Sequence, residues 1–252
     1  MILDRFRLDG KVALVTGASR GLGAVMASAL AEAGADVAVH GNSRTPRETC
    51  ARVEAAGRRA LPLVADLADG SDGRLVEGVL AGLGRLDILV NNAGIIRRAA
   101  AADHADADWD AVLAVDLTAV FRLARAAGRH MLGRGSGKII NVASLLSFQG
   151  GVSVPGYAAA KGGVAQLTKA LANEWAGKGV QVNAIAPGYM RTDNTEALRA
   201  DPARSEEILE RIPAGRWGEG EDVAGAAVFL ASSASDYVSG HVLVVDGGWL
   251  GR

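Results

Sequence analysis

With 252 residues, 49% of them hydrophobic, the chain can bury a sizeable core and falls in the size range of a single α/β domain, here expected to span residues 1–252. Its formal net charge of -1, with acidic and basic residues interspersed, gives no electrostatic footprint for nucleic acid or an anionic membrane. No apolar run approaches the ~18 residues of a membrane span, the first ten residues are interrupted by charges, and the lone Cys50 and four scattered histidines offer neither an internal disulfide nor a metal-ligand cluster, so the expectation is a soluble, cytoplasmic protein with metal-free chemistry.

In chain order, short apolar runs alternate with Ala-rich helical patterns. Residues 12–16 form a strand signal that ends in a glycine-rich turn, and 21–33 then show helical spacing closed by Gly34. Strand signals recur at 36–40, 61–65, 88–91, 138–142, 180–185 and 242–245, with helices predicted near 45–57, 71–83, 106–132, 157–176 and 221–232. This alternation predicts βαβ units: a Rossmann-type, doubly wound α/β fold with a parallel sheet covered by helices on both faces. The stretch 187–220 is too long for an ordinary connection and carries a short helical pattern near 203–211, which predicts a substrate lid over the strand ends.

The first turn reads Thr16-Gly17-Ala18-Ser19-Arg20-Gly21-Leu22-Gly23. Glycines between a strand and a helix let backbone amides approach a pyrophosphate, where the helix dipole also favours negative charge. Farther on, Tyr157 and Lys161 lie four apart on a predicted helix and share a face. A phenol is a poor base at neutral pH, and a neighbouring cation stabilises its phenolate, so the pair could move a proton. Taken alone, such a pair is more often a surface pair, and Ser144, thirteen residues upstream, could merely cap a turn.

The Gly-x-x-x-Gly-x-Gly spacing, Asn91-Asn92-Ala93-Gly94, Ser144, Tyr157-x-x-x-Lys161 and Pro187-Gly188, in this order, resemble the short-chain dehydrogenase/reductase family over essentially the whole chain. The resemblance implies a seven-stranded parallel sheet, a nicotinamide cofactor (NAD or NADP), and reversible hydride transfer between an alcohol and a carbonyl. It implies Tyr157 as general acid/base, Lys161 as the cation that assists it and binds the nicotinamide ribose, and Ser144 as the residue orienting the substrate oxygen. The cofactor would be lined by Gly17, Ser19, Arg20, Gly21, Leu22, Gly23, Asp66, Leu67, Asn92, Ala93, Gly94, Pro187, Gly188 and Thr192. One catalytic position departs from the pattern: Asp116 stands where the family usually has an asparagine that holds a water of the proton relay. Asp116 keeps the acceptor oxygen and could stabilise the Lys161 ammonium.

No carboxylate follows the second strand, where NAD enzymes usually place one for the ribose hydroxyls; instead Asn42, Ser43 and Arg44, with Arg20, could meet a 2′-phosphate. These residues lean toward NADP. Several arginines (Arg97, Arg98, Arg191, Arg211, Arg216) near the predicted strand ends suit a carboxylate. The loops around residues 91–98, 143–151, 186–190, 211–218 and 246–250 resemble the branch of 2-deoxy-D-gluconate 3-dehydrogenases, also called 2-dehydro-3-deoxy-D-gluconate 5-dehydrogenases. That branch implies a hexonate-type sugar-acid substrate, a homotetramer with 236–248 near an interface, and NAD; Arg97, Gln149, Met190 and Arg211 are the residues expected at the substrate. A 3-oxoacyl-carrier-protein reductase, or a non-catalytic dinucleotide-binding regulator, stands as the alternative.

Overall fold

The structure is a computed structural model that describes residues 1–70 and 72–252. Seven strands, β1 (Val12–Val15), β2 (Asp36–Gly41), β3 (Ala60–Val64), β4 (Ile88–Asn91), β5 (Gly137–Val142), β6 (Val180–Pro187) and β7 (Val242–Val245), form one parallel sheet in the order β3-β2-β1-β4-β5-β6-β7. The central strands are buried along their length, which is why they read as unbroken apolar runs and not as alternating ones. The order reverses between β1 and β4, opening a crevice at their carboxyl ends, the usual ligand position in open α/β sheets.

The helices are α1 (Gly21–Glu32), α2 (Arg47–Ala55), α3 (Asp72–Leu83), α4 (Asp106–Leu113), α5 (Ala119–Arg134), α6 (Pro155–Trp175), α7 (Glu196–Ala200), α8 (Pro202–Arg211) and α9 (Gly220–Ala231). Two apolar layers result. Met26, Leu30, Val223 and Leu230 pack α1 and α9 against one face; Val79, Leu123, Met131 and Trp175 pack α3, α5 and α6 against the other. Gly128 on α5 has no room for a side chain, because an added Cβ would stand 2.7 Å from the Trp175 ring. At the amino edge, the buried Asp87 carboxylate accepts the Val12 amide (2.9 Å) and is held by Arg85 (2.7 Å) and Arg134 (3.1 Å), which locks β1, β4 and α5 in register.

The expected strands and helices are present with ends shifted by at most a few residues; the expected start of the third helix at residue 71 lies outside the described residues. Two features differ from the expectation. The helix expected over 106–132 is interrupted by a π-helical turn, Ala114–Thr118, whose extra residue rotates Asp116 into the interior. The 187–220 segment holds two helices, α7 and α8, and is pinned at both ends: Arg191 donates its amide to the Gly218 carbonyl (2.7 Å) and Gly218 donates to Tyr189 (2.9 Å).

Candidate active site

The glycine turn is held from outside by its carbonyls. Asn92 Nδ2 donates to the carbonyls of Thr16 (2.9 Å) and Gly17 (3.1 Å), and Thr49 of α2 donates its hydroxyl to Ala18 (2.8 Å). Helix α1 begins at Gly21 with no side-chain cap, so its first-turn amides stay open to an anion. Gly17 and Gly21 adopt positive φ (61° and 58°), and at Gly17 a Cβ would stand 2.7 Å from the Ala93 Cα. At Gly23 it would stand 2.5 Å from the Gly17 carbonyl. A cavity of about 280 Å³ lies between this turn and the start of the 187–220 segment, with Ser19, Arg20, Leu22, Arg191 and Thr192 on its walls. These residues fit a dinucleotide diphosphate.

His40, which the sequence did not single out as functional, braces this turn. It is buried in β2; its Nδ1 accepts the Gly17 amide (3.2 Å) and its Nε2 lies 3.0 Å from the Ala65 carbonyl. An amide can only donate and a carbonyl can only accept, so the imidazole is neutral with the proton on Nε2. Burial pushes its pKa below the ordinary value, against the pull of the Ala65 carbonyl and Asp66. The next residue, Gly41, occupies the end of β2, where a Cβ would fall 2.5 Å from Ser19 Oγ and also collide with the Arg44 carbonyl. The backbone therefore leaves no place at position 41 for a carboxylate. Asn42, Ser43 and Arg44 follow, all exposed, and Asp66 caps the turn that begins at the buried Leu67. Arg20 is exposed and pairs with Asp193 of the 187–220 segment at 3.0 Å.

At the carboxyl ends of β4 and β5 the structure brings Asp116, Ser144, Tyr157 and Lys161 together. The buried Lys161 Nζ donates to the Val142 carbonyl (2.9 Å), lies 3.5 Å from Asp116 Oδ2 and stands 5.4 Å from the Tyr157 ring centroid. Asp116 is fully buried; its Oδ1 accepts the Ile95 amide (2.7 Å), while Oδ2 has the ion pair and, among the described residues, no hydrogen bond. Burial raises its carboxyl above the ordinary range, and Lys161 and the Ile95 amide oppose the rise. Gly94 is bare for the same reason, since a Cβ there would stand 2.8 Å from Asp116 Oδ2. Ser144 Oγ accepts the Leu146 amide (3.2 Å), so the turn-capping reading holds, and its hydroxyl proton is left over for another acceptor. Ser147, also unforeseen, joins the loop to α6: its hydroxyl donates to the Lys161 carbonyl (2.7 Å) and accepts the Ser144 amide (3.3 Å). Its only trace in the sequence is a hydroxyl three residues after another at a helical turn.

Farther out, Gly188 lets β6 approach β7, with room for no Cβ beside the Asp246 Cα (2.6 Å), and Pro187 ends β6. Thr192 opens the turn at 193–195. Met190 is buried against Gly218. Among the residues expected at the substrate, Gln149 accepts a hydrogen bond from Trp249 Nε1 (3.3 Å) and Arg211 lies over the Trp249 ring (4.1 Å), whereas Arg97 is turned to Asp108 of α4 (3.2 Å). Among the described residues no group of three or more His, Cys, Asp or Glu side chains could hold a metal ion.

A family model described as enoyl-(acyl carrier protein) reductase matches residues 17–250. The chain is 56% identical to a 2-dehydro-3-deoxy-D-gluconate 5-dehydrogenase of Dickeya dadantii, with all of both chains aligned. The chain belongs to the short-chain dehydrogenase/reductase family. Among solved structures, a gluconate 5-dehydrogenase from Burkholderia cenocepacia in complex with NADP and tartrate superposes with TM-score 0.94 at 44% identity, covering 100% of both chains. An Agrobacterium tumefaciens structure with bound NADP, given the provisional name 2-deoxy-D-gluconate 3-dehydrogenase, superposes with TM-score 0.93 at 56% identity, over 98% of this chain and 99% of that one.

His40 gives the glycine turn a pH limit. Its folded pKa is lowered, so the unfolded chain binds the extra proton first and stability falls as pH drops below the ordinary histidine value of ~6.5. Urea unfolding between pH ~7 and ~5 should show this loss in the parent and a shallower one in His40→Asn; equal slopes would remove His40 from the balance.

Proposed function

We propose that the protein is an NADP-dependent oxidoreductase that transfers a hydride between the nicotinamide and a secondary alcohol or ketone of a hexonate-type sugar acid, such as a keto-deoxy-gluconate. The observation that carries the reaction is the buried Lys161 ammonium beside Tyr157, fixed by the Val142 carbonyl. The nicotinamide supplies the hydride acceptor or donor. For the chain's own residues, the free Ser144 hydroxyl proton orients the substrate oxygen, and Tyr157 takes that oxygen's proton in oxidation or returns it in reduction. Lys161 stabilises the phenolate that this exchange requires. Substrate carbon and oxygen thus lose one hydride and one proton as the carbonyl forms.

The preference for NADP over NAD is supported by the blocked position 41 and by Arg20 and Arg44 beside it. The sugar acid is supported by the names of the relatives. The lid over 187–220 is read as the cover of the substrate, since its ends are pinned together and Arg20 reaches it through Asp193. A homotetramer is supported by Trp109 and Phe121, large apolar side chains left more than a third exposed on α4 and α5, and by the fully exposed Tyr237 beside β7. A cytoplasmic setting is supported by the lone buried Cys50, and no helix among the described residues is long and apolar enough to cross a membrane.

The test is a spectrophotometric assay of reduced nicotinamide, with NAD and NADP offered separately to 2-deoxy-gluconate, gluconate, simple alcohols and a 3-oxoacyl thioester. Turnover confined to the hexonates and faster with NADP is expected; turnover of the thioester alone would replace the sugar-acid reading with a carrier-protein reductase. For Asp116→Asn, removal of a carboxylate 3.5 Å from Lys161 should move the acidic limb of the oxidation profile to lower pH by about one unit. An unchanged profile would show that Asp116 is catalytically silent.

A further inference from the structure

Most arginines on the segments just beyond the carboxyl ends of β4 to β7 are already engaged: Arg199 donates to the Thr192 carbonyl (3.2 Å) and Arg204 pairs with Glu207 (2.6 Å), while Arg252 is the last residue of the sequence. Arg97 pairs with Asp108 (3.2 Å), Arg191 with Glu219 (2.9 Å), and Arg216 with both oxygens of Asp222 (2.6 and 2.8 Å); Arg98 donates to the Asn194 carbonyl (3.1 Å). Arg211, the last residue of α8, is exposed and has no carboxylate or carbonyl partner among the described residues. Its one contact of note is the Trp249 ring, 4.1 Å from the guanidinium carbon. Resting on the sugar-acid reading, we propose that Arg211 is the specificity-determining residue that binds the substrate carboxylate.

The chemistry of the contact favours this over a plain surface charge. Stacking occupies the face of the guanidinium and leaves its in-plane N–H groups, the edge that meets a carboxylate bidentately, free. The platform itself is rigid. Trp249 is buried, Tyr189 packs on it with centroids 4.6 Å apart, and Ile208 and Ile212, on either side of Arg211, belong to the same apolar cluster. That cluster also contains Leu145, the residue after Ser144. Trp249 Nε1 donates to Gln149 Oε1 (3.3 Å), five residues beyond Ser144, and among the described residues the Gln149 amide hydrogens have no partner and can serve a sugar hydroxyl. The serine loop, the end of the lid helix and the carboxyl-terminal segment therefore converge on one indole. Its effect is to hold a free cationic fork two contacts from the loop that carries the catalytic serine.

Steady-state kinetics on the full chain with saturating NADP test the proposal, using 2-deoxy-gluconate and its neutral amide as paired substrates. In Arg211→Gln, KM for the acid should rise about 10- to 100-fold, with KM for the amide and for NADP unchanged; Arg211→Lys should recover part of the loss through its charge. A rise in KM that is equal for acid and amide, or no rise in either variant, overturns the proposal while leaving the sugar-acid reading intact. A parent enzyme that turns over other alcohols but neither the acid nor the amide overturns both.

Discussion

A lysine ammonium in the interior is the constraint on which the rest of the site depends. Removing a cation from water costs several kcal/mol unless its partners are well placed, and Lys161 meets that demand with the Val142 carbonyl at 2.9 Å and Asp116 at 3.5 Å. Each partner belongs to a different element. Val142 ends β5, Asp116 sits in the π-helical turn between α4 and α5, and Asp116 in turn accepts the Ile95 amide of the loop after β4. Satisfying one charge thus fixes the strand ends, the interrupted helix and α6 against one another. Ser147 then carries that rigidity from the Lys161 carbonyl to the Ser144 loop. The contacts that make the burial of Lys161 and Asp116 tolerable also position the Ser144 loop and α6.

The dinucleotide side follows a related logic, with neutral groups in place of charged ones. The turn's carbonyls are taken by Asn92 and Thr49, and the neutral His40 accepts the Gly17 amide, so the backbone conformation is set before any ligand arrives. Glycines stand where the neighbouring backbone comes too close for a Cβ, at Gly17 and Gly23, and at Gly41 the same crowding excludes an acidic side chain. Backbone packing at the end of β2 thus leaves no place for a carboxylate at position 41, and the exposed Asn42, Ser43 and Arg44 add polar groups around it.

Much of this was legible in the sequence because it rests on periodicity and on local spacing. Fully buried parallel strands must read as apolar runs, and Tyr157 and Lys161 must share a helix face, so the sheet, its helices and the Tyr157–Lys161 pair could be placed from residue order alone. The π-helical turn could not, because a single extra residue barely disturbs the apolar repeat of a 29-residue helical stretch from 106 to 134. His40 looked like any strand residue, since its partners Gly17 and Ala65 are distant in sequence and are backbone atoms that carry no residue signature. Likewise the arginines near the strand ends could be gathered but not sorted. Arg97 is occupied by Asp108 and Arg211 by Trp249, 38 positions away, and only the fold shows which guanidinium retains a free edge. Ser144 was offered two roles, and the structure shows the capping one occupying its oxygen while its proton stays available.

The central claim is that Lys161 serves the reaction and not merely the packing. The direct measurement is hexonate turnover by Lys161→Met combined with Asp116→Asn. Lys161→Met alone strands a buried carboxylate and should cost about 3–5 kcal/mol, so its loss of activity would be ambiguous, whereas the pair of substitutions removes both charges and should recover most of the stability. The expected result is a folded protein of near-parent stability whose turnover stays at least ~100-fold below the parent. A double variant that folds and turns over at the parent rate would contradict the account.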